Sequence, residues 1–525
     1  MSRPLPILSV FIAVMLLSGL NAQAVTRQAP LGSGTQLDPY QIASLANLSW
    51  LAQDDTKWSA WYIQTADIDA AETRYWDDAD DNIDGDRYND ANDLTATGTN
   101  QGFYPIGNLT TYFHGNYNGQ GYTIDNLYIH RTDDMGTPDY SVGLFGWVVD
   151  PTLPSGDSPD DPPNTPPSDQ GAVKNLGLTN VDLTGYDDVG ALVAYLRGTV
   201  SNCWAIGGVT GSDAGGLIGI GNLDAVVFES YCNINVHGNI AGGFIGANSG
   251  TIYRCYSSGT VFPDYAGGGF VGYNGGTISN CYSRGGLLCP NGPSTRFGGF
   301  IGEIVSANIQ KCYATGNVAH LGLNNPTDKG FCGAIDGSGP GYTVADNFFD
   351  TDTSMQTTDA LATATGKSTA EMTDAATFTD VSTPGLTTPW DFFSDPNDDT
   401  QTDDVWHIST HNNGYPHLTW DGPCACTLSP TCMTAAKTGG TRIVTIDASR
   451  TDCAWTATES LSWVTIAPPS GAGDSTVTIT VQANPDYERS GAATIAGIPF
   501  QISQDGEFPW TMFIPAMTHT TPLTP

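Results

Sequence analysis

The sequence predicts an all-β protein: a parallel β-solenoid, or β-helix, followed by a small β-sandwich. Three observations carry this. A five-residue glycine phrase recurs seven times between residues 142 and 333. A second phrase, built on Cys followed by an aromatic, keeps step with it. Beyond Trp420 both phrases stop, and short runs of alternating apolar and polar residues take over.

The N-terminus comes first. Arg3 precedes the apolar stretch from Leu5 to Leu20, and Ala22-Gln23-Ala24 has the form of a cleavage site. Residues 1–24 therefore read as a signal peptide, with a mature chain from Val25 exported to an oxidising medium. No Cys follows the apolar stretch to take a lipid anchor. No later run of 18 apolar residues offers a membrane span. The chain carries 55 acidic against 18 basic residues, a formal net charge of -37. Such a surface repels phosphate backbones, which excludes nucleic acid as a partner. It suits divalent cations or a saline medium, or serves only as a solvated surface.

Residues 25–139 form an entry or cap segment. Ile42, Leu45, Leu48 and Leu51 predict a short helix with one apolar stripe, laid over the first coil to hide an open edge. The acidic stretch at 76–94 contains Asp80, Asn82 and Asp84 on alternate residues, then Gly85, the spacing that converges oxygens on a hard cation. Asp86 adds a further carboxylate, but the twelfth position is Ala91 where such loops want Glu. Calcium is the cofactor this spacing points to, and a plain acidic loop fits equally well.

The repeat occupies 140–350. Its glycine phrase stands at 142–146, 190–194, 215–219, 242–246, 268–272, 298–302 and, weakly, 329–333. The second positions are Gly143, Ala191, Gly216, Gly243, Gly269, Gly299 and Gly330, so the steps are 48, 25, 27, 26, 30 and 31 residues. The long first step holds a proline-rich insertion at 150–170, a loop thrown out of the array. Units of this length cannot bury a core alone. Stacking them pairs each strand with its copy in the next unit, about 4.8 Å away. The glycines fit corners that need positive φ or close backbone approach. Excising one unit, 242–267, should then leave a shorter folded chain.

Each unit's second phrase stacks too. Cys203, Cys232, Cys255, Cys281 and Cys312 read as a ladder of small buried thiols. The aromatics beside them, among them Tyr256, Tyr282 and Tyr313, form either a sugar platform or, more in keeping with burial statistics, a packed ladder. Asp188 and Asp213 sit before equivalent turns on adjacent units. Paired carboxylates there would suit a polysaccharide hydrolase or lyase, but Ile240 breaks the column, and solvated corner residues are the favoured reading. No G-x-S-x-G occurs, and His407 and His411 lack the intervening Glu of a zinc protease.

The phrases resemble the GLUG-motif repeat of secreted and surface bacterial proteins. The flanks are similar as well: GSGTQLDPYQIASLANLSWLAQ (32–53) at the entry and VWHISTHNNGYPHLTW (405–420) at the exit, with 351–422 as the exit segment. This resemblance covers about 32–420 and implies a secreted scaffold without chemistry of its own. Residues 423–505 give five or more short strands in a small sandwich. CAWTA, SWVTI and ANPDYERSGAATIAG within them resemble the BACON family of immunoglobulin-like modules. That resemblance implies carbohydrate binding, with Trp455 and Trp463 as stacking candidates, although an inward Trp is common in such sandwiches. Cys426 and Cys453 are the expected disulfide, with Cys424 and Cys432 as rival partners. A tail follows at 506–525.

The sequence thus predicts an exported, non-catalytic surface or extracellular protein for adhesion or carbohydrate binding. Its partners would be glycan or mucin-like polysaccharide, or other cell-surface components. A secreted polysaccharide lyase or glycoside hydrolase on a β-helix is the alternative.

Overall fold

A computed structural model describes residues 27–76, 101–132, 141–152, 170–289, 296–320, 325–336, 341–393, 404–409, 411–421, 426–448 and 454–506. The chain winds into parallel coils with three faces. One face is a 10-stranded sheet running from Tyr40–Ile42 to Tyr342–Ala345. A second has 7 strands, from Phe145–Val149 to Cys332–Ile335. The third has 16 and contains the long strands Trp204–Gly215 and Tyr231–Gly242. The strand pairings within these faces are parallel and, apart from bulges at Ala205–Gly207 and Gly238–Ile240, in register, so residues one unit apart lie directly above one another.

The core follows from that register. Val200, Val227, Ile252, Ile278 and Ile309 pair in sequence on one face and are fully buried. Val193, Ile218, Ile245, Val271 and Ile301 do the same on another. Between them the third residues of four glycine phrases form a column of rings. Phe244, Phe270, Phe300 and Phe331 stack at 4.9, 4.9 and 4.8 Å with planes within 6°.

The glycines serve close approach, and the left-handed corners belong to other residues. A Cβ on Gly242 would lie 1.8 Å from the Ile245 carbonyl oxygen. The corner with positive φ is taken by Asn175, Asn202, Glu229, Arg254, Asn280, Lys311 and Asp346, at φ 49–56°. Asn tolerates this region because its short side chain bonds locally. Asn202 donates to Asn175, and Asn175 to Asn118, at 2.7 and 2.9 Å.

The thiol column also differs from expectation. Its members are Cys203, Cys255, Cys281 and Cys312, all buried and unbonded, each donating to a carbonyl two residues back at 3.2–3.3 Å. Cys232 stands outside it. The reversed order Tyr231-Cys232 places Ser230 in the column, where its Oγ accepts the Cys203 N–H, and pairs Cys232 with Ser257 instead. Burial pushes the Cys203 thiol up to about 12 and holds Cys281 and Cys312 well above the ordinary range. Few thiolates form, so oxidation is slow.

The entry helix spans Leu45–Gln53, and Ser44 caps it by accepting the Asn47 N–H. Leu45, Leu48 and Leu51 point inward as expected, whereas Ile42 belongs to the preceding strand. At the other end the exit segment doubles back. Two short helices, Thr369–Met372 and Ala376–Thr379, bring Phe378 and Trp390 against Phe348. The chain then runs past coil after coil in reverse order, as a lateral strap, to Trp420.

Residues 426–506 fold separately into a 4-stranded and a 5-stranded sheet. Val444, Ile446, Val477, Ile479, Ile495, Phe500 and Ile502 fill the space between them. Most pairings are antiparallel, as alternation predicts, but Cys432–Ala435 runs parallel to Ile498–Gln504.

Candidate functional site

The aromatic ladder lies under the strap. Tyr256, Tyr282 and Tyr313 stack at 4.7 and 5.0 Å with planes within 4°. Each inner ring therefore has both faces occupied by its neighbours. Trp406 packs on Tyr282 and Tyr313 at 6.2 and 6.0 Å, and its Nε1 donates to Asn280. Tyr313 donates its hydroxyl to the Pro416 carbonyl at 2.6 Å. Trp420 packs on Tyr256 and Tyr231 at 6.1 and 6.3 Å and donates to the Arg254 carbonyl at 3.0 Å. Tyr282 and Tyr313 are 2% and 0% exposed. The sugar-platform reading of these three tyrosines is thus corrected: Tyr282 and Tyr313 are core and Tyr256 is half-buried beside them, its ring faces taken by Tyr231 and Tyr282, and the ladder is closed by tryptophans that carry no periodic signal.

In the sandwich, Trp455 is buried and donates its Nε1 to the Gly473 carbonyl at 3.1 Å. This is the inward Trp, and its ring offers no stacking face. Trp463 is half-buried, with the Arg489 guanidinium 4.4 Å from its ring centroid. Of the expected disulfide, Cys426 is half-buried at the start of its strand, and Cys453 lies outside the described residues. Cys432 is exposed with a free thiol. Asp80, Asn82, Asp84 and Asp86 also lie outside the described residues. Among those described, no group of three or more His, Cys, Asp and Glu is placed to hold a metal.

The site that chemistry does single out is a corner of the solenoid. The strand Asp188–Gly190 pairs with Trp204–Gly215 so that Asp188 lies directly against Asp213. Both are partly exposed, yet both are held above the ordinary carboxyl range. Burial, then the neighbouring Asp187 and Asp213, pushes Asp188 up to about 7, while a hydrogen bond from Ser141 pulls the other way. Burial and Asp187 push Asp213 up to about 6. The crowding arises because one register position stacks two carboxyls one coil apart, and a third sits beside them.

Ser141 joins this pair to an outward aromatic column. It accepts the Trp147 Nε1–H at 3.0 Å. Trp147 stacks on Tyr195 at 3.8 Å and on Tyr112 at 5.7 Å. Strand pairing continues the column as Trp147, Tyr195, Ile220, Ala247, Tyr273, Glu303 and Ala334. These are the residues immediately after the seven glycine phrases. That position was the available signal, and it passes unnoticed because its chemistry varies from unit to unit. At the far end Arg296 donates to Tyr273 at 3.2 Å, pairs with Glu303, and lies 4.9 Å over Tyr265.

The two raised carboxyls have a stability consequence. Free carboxyls titrate near 4. Between pH 4 and 7 the folded state therefore holds more protons than the unfolded one, and this pair's contribution to stability falls as pH rises. The loss is complete about one unit above pH 7; both carboxyls are partly exposed and titrate as a coupled pair, and with that discount it is about 2 kcal/mol. A double Asp188→Asn, Asp213→Asn variant is expected to melt with the parent near pH 4 and about 2–4 °C above it at pH 8. A constant difference across that range would refute the assignment.

Residues 454–505 match the BACON family, described as "Putative binding domain, N-terminal". A 210-residue stretch, 39% of this chain, is 32% identical to halomucin of Haloquadratum walsbyi. The aligned part spans 2% of the length of halomucin. Among solved structures, a "putative immunoglobulin A1 protease" of Bacteroides ovatus aligns over 76% of this chain and 96% of its own, at 18% identity and a TM-score of 0.42. A Bacteroides ovatus GH5 xyloglucanase, solved with a XXXG heptasaccharide, aligns over 16% of this chain and 19% of its own, at 22% identity and a TM-score of 0.15.

Proposed function

We propose that this is an exported, non-catalytic surface or extracellular protein that binds glycan or glycoprotein. The observation that carries this reading is the match of residues 454–505 to a family described as a binding domain. The likeness of 210 residues of the chain to halomucin, a protein named for mucin, supports it. No helix among the described residues is long and apolar enough to cross a membrane. A glycan array probed with the chain from Val25 is expected to give carbohydrate-dependent signal; a blank array would sink the reading.

One observation favours a second reading, hydrolysis or lysis of a polysaccharide: Asp188 and Asp213 are adjacent carboxyls, and burial pushes Asp188 up to about 7. Incubating the bound glycan with the chain separates the two. The binding reading expects no new reducing ends and no unsaturated-uronate absorbance. Calcium at Asp80, Asn82, Asp84 and Asp86 belongs to the proposal as well. Binding to the folded form alone must raise the melting temperature. Equal melting in EDTA and in millimolar calcium would show a plain acidic loop.

A further inference from the structure

We propose that the trough between Tyr195 and Tyr273 on the 7-stranded face binds an uncharged glycan chain laid along the axis of the coils. This inference rests on the glycan reading above and assigns it a place on the solenoid.

The argument begins with register. Tyr195, Ile220, Ala247 and Tyr273 occupy the same outward position on four successive coils, all half-exposed. At about 4.8 Å per coil the two tyrosines stand roughly 14 Å apart. In the ladder of Tyr231, Tyr256, Tyr282 and Tyr313, consecutive aromatics close up ring on ring at 4.7–5.0 Å. Here two smaller side chains interrupt the column. They leave an apolar floor between two aromatic walls, too short-sided to be covered by its own neighbours.

The walls are braced by neighbouring coils. Trp147 stacks on Tyr195 from the upstream side. The Asn222 amide donates to the Tyr195 hydroxyl. Arg296 holds the Tyr273 hydroxyl from the downstream side, where Glu303 pairs with it. Such bracing fixes ring orientation before a ligand arrives, which lowers the entropy lost on binding. An apolar floor, rigid aromatic ends and a few polar groups at the rim match the alternating C–H faces and hydroxyl edges of a pyranose chain.

Charge selects the class of glycan. Asp188 reaches the column only through Ser141, and the charges nearest the trough, Arg197 with Asp224 and Arg296 with Glu303, are paired. The whole chain bears a formal net charge of -37. Uronates and sulfated sugars would meet the repulsive field of this net charge. Neutral hydroxyls meet carboxyl and amide acceptors instead.

The test uses the chain from Val25 and four probes: soluble neutral β-glucan, xylan and mannan, and polygalacturonate as the anionic control. Binding is read by calorimetry, with melting temperature as the check on folding. The parent is expected to bind at least one neutral polymer and not polygalacturonate. Tyr273→Ala should weaken that binding roughly 2- to 12-fold, the worth of one aromatic contact, and Tyr273→Phe should restore it. Ala247→Trp fills the trough without removing any packing and should abolish binding while melting with the parent. If the parent binds a neutral glycan and Ala247→Trp binds it equally, the trough is wrong and the general glycan reading stands. If the parent binds none of the neutral polymers, or binds polygalacturonate best, this proposal falls, and a parent that binds nothing removes the general reading for these sugars too.

Discussion

A chain lacking residues 242–267 is expected to lose stability sharply, although one whole unit has been removed cleanly. In an ideal repeat array each unit touches only its neighbours, and excision costs one interface. Here the strap breaks that rule. Trp406 is seated on the coils of Tyr282 and Tyr313, and Trp420 on those of Tyr231 and Tyr256. Excision removes Tyr256 together with Arg254, whose carbonyl accepts the Trp420 indole. It also draws Tyr231 one coil closer to Tyr282, about 4.8 Å. With Trp406 in place, Trp420 overshoots its partners. Unseating a half-buried tryptophan costs about 2 kcal/mol. The check is a double-mutant cycle: in a Trp420→Ala background the same excision should cost about that much less, because the seat is already lost. Equal costs in both backgrounds would mean that the strap takes no part.

Phe270→Ala is expected to destabilise by about 3–5 kcal/mol, the range for removing a buried ring. The upper part of that range applies because the site cannot collapse. Phe244 and Phe300 flank Phe270 at 4.9 Å on either side, and each is held by its own coil. Strand pairing fixes coil spacing on all three faces, so neither ring can move in to fill the void. Phe331, at the end of the column, has only one such neighbour, and its replacement should cost less. Denaturant unfolding of the two variants decides this; equal losses would show that the coils relax.

The solenoid was legible because its information is periodic. The glycine phrase marks where backbones approach most closely, and Gly242 shows why no larger residue can stand there. The sandwich was legible from alternation, and so was the inward Trp455. Three things were not. The left-handed corner passes through Asn, Glu, Arg, Lys and Asp, so its demand on φ leaves no single-letter trace. Cys232 looked like a ladder member because sequence adjacency to Tyr231 cannot show which of the two occupies the column. The strap's tryptophans touch residues more than 100 positions earlier, and their spacing follows the reverse path of a loop that has no period. The candidate trough failed for a related reason. Its position recurs in every unit, but what makes it a trough is the difference between units, Ile220 and Ala247 against Tyr195 and Tyr273.

The strap also bears on how such a gene can change. Near-identical tandem segments invite unequal exchange, and copy number in an unstrapped array can drift by whole units at little cost. Here the tryptophans of the returning segment meet fixed partners on coils of fixed rank, much as the notches of a key meet the pins of one lock. A chain with one coil more or fewer presents the wrong pin to Trp420. Lineages of this protein should therefore vary in the loops between strands and in the residue after each glycine phrase, while the number of coils between Tyr231 and Phe348 stays constant.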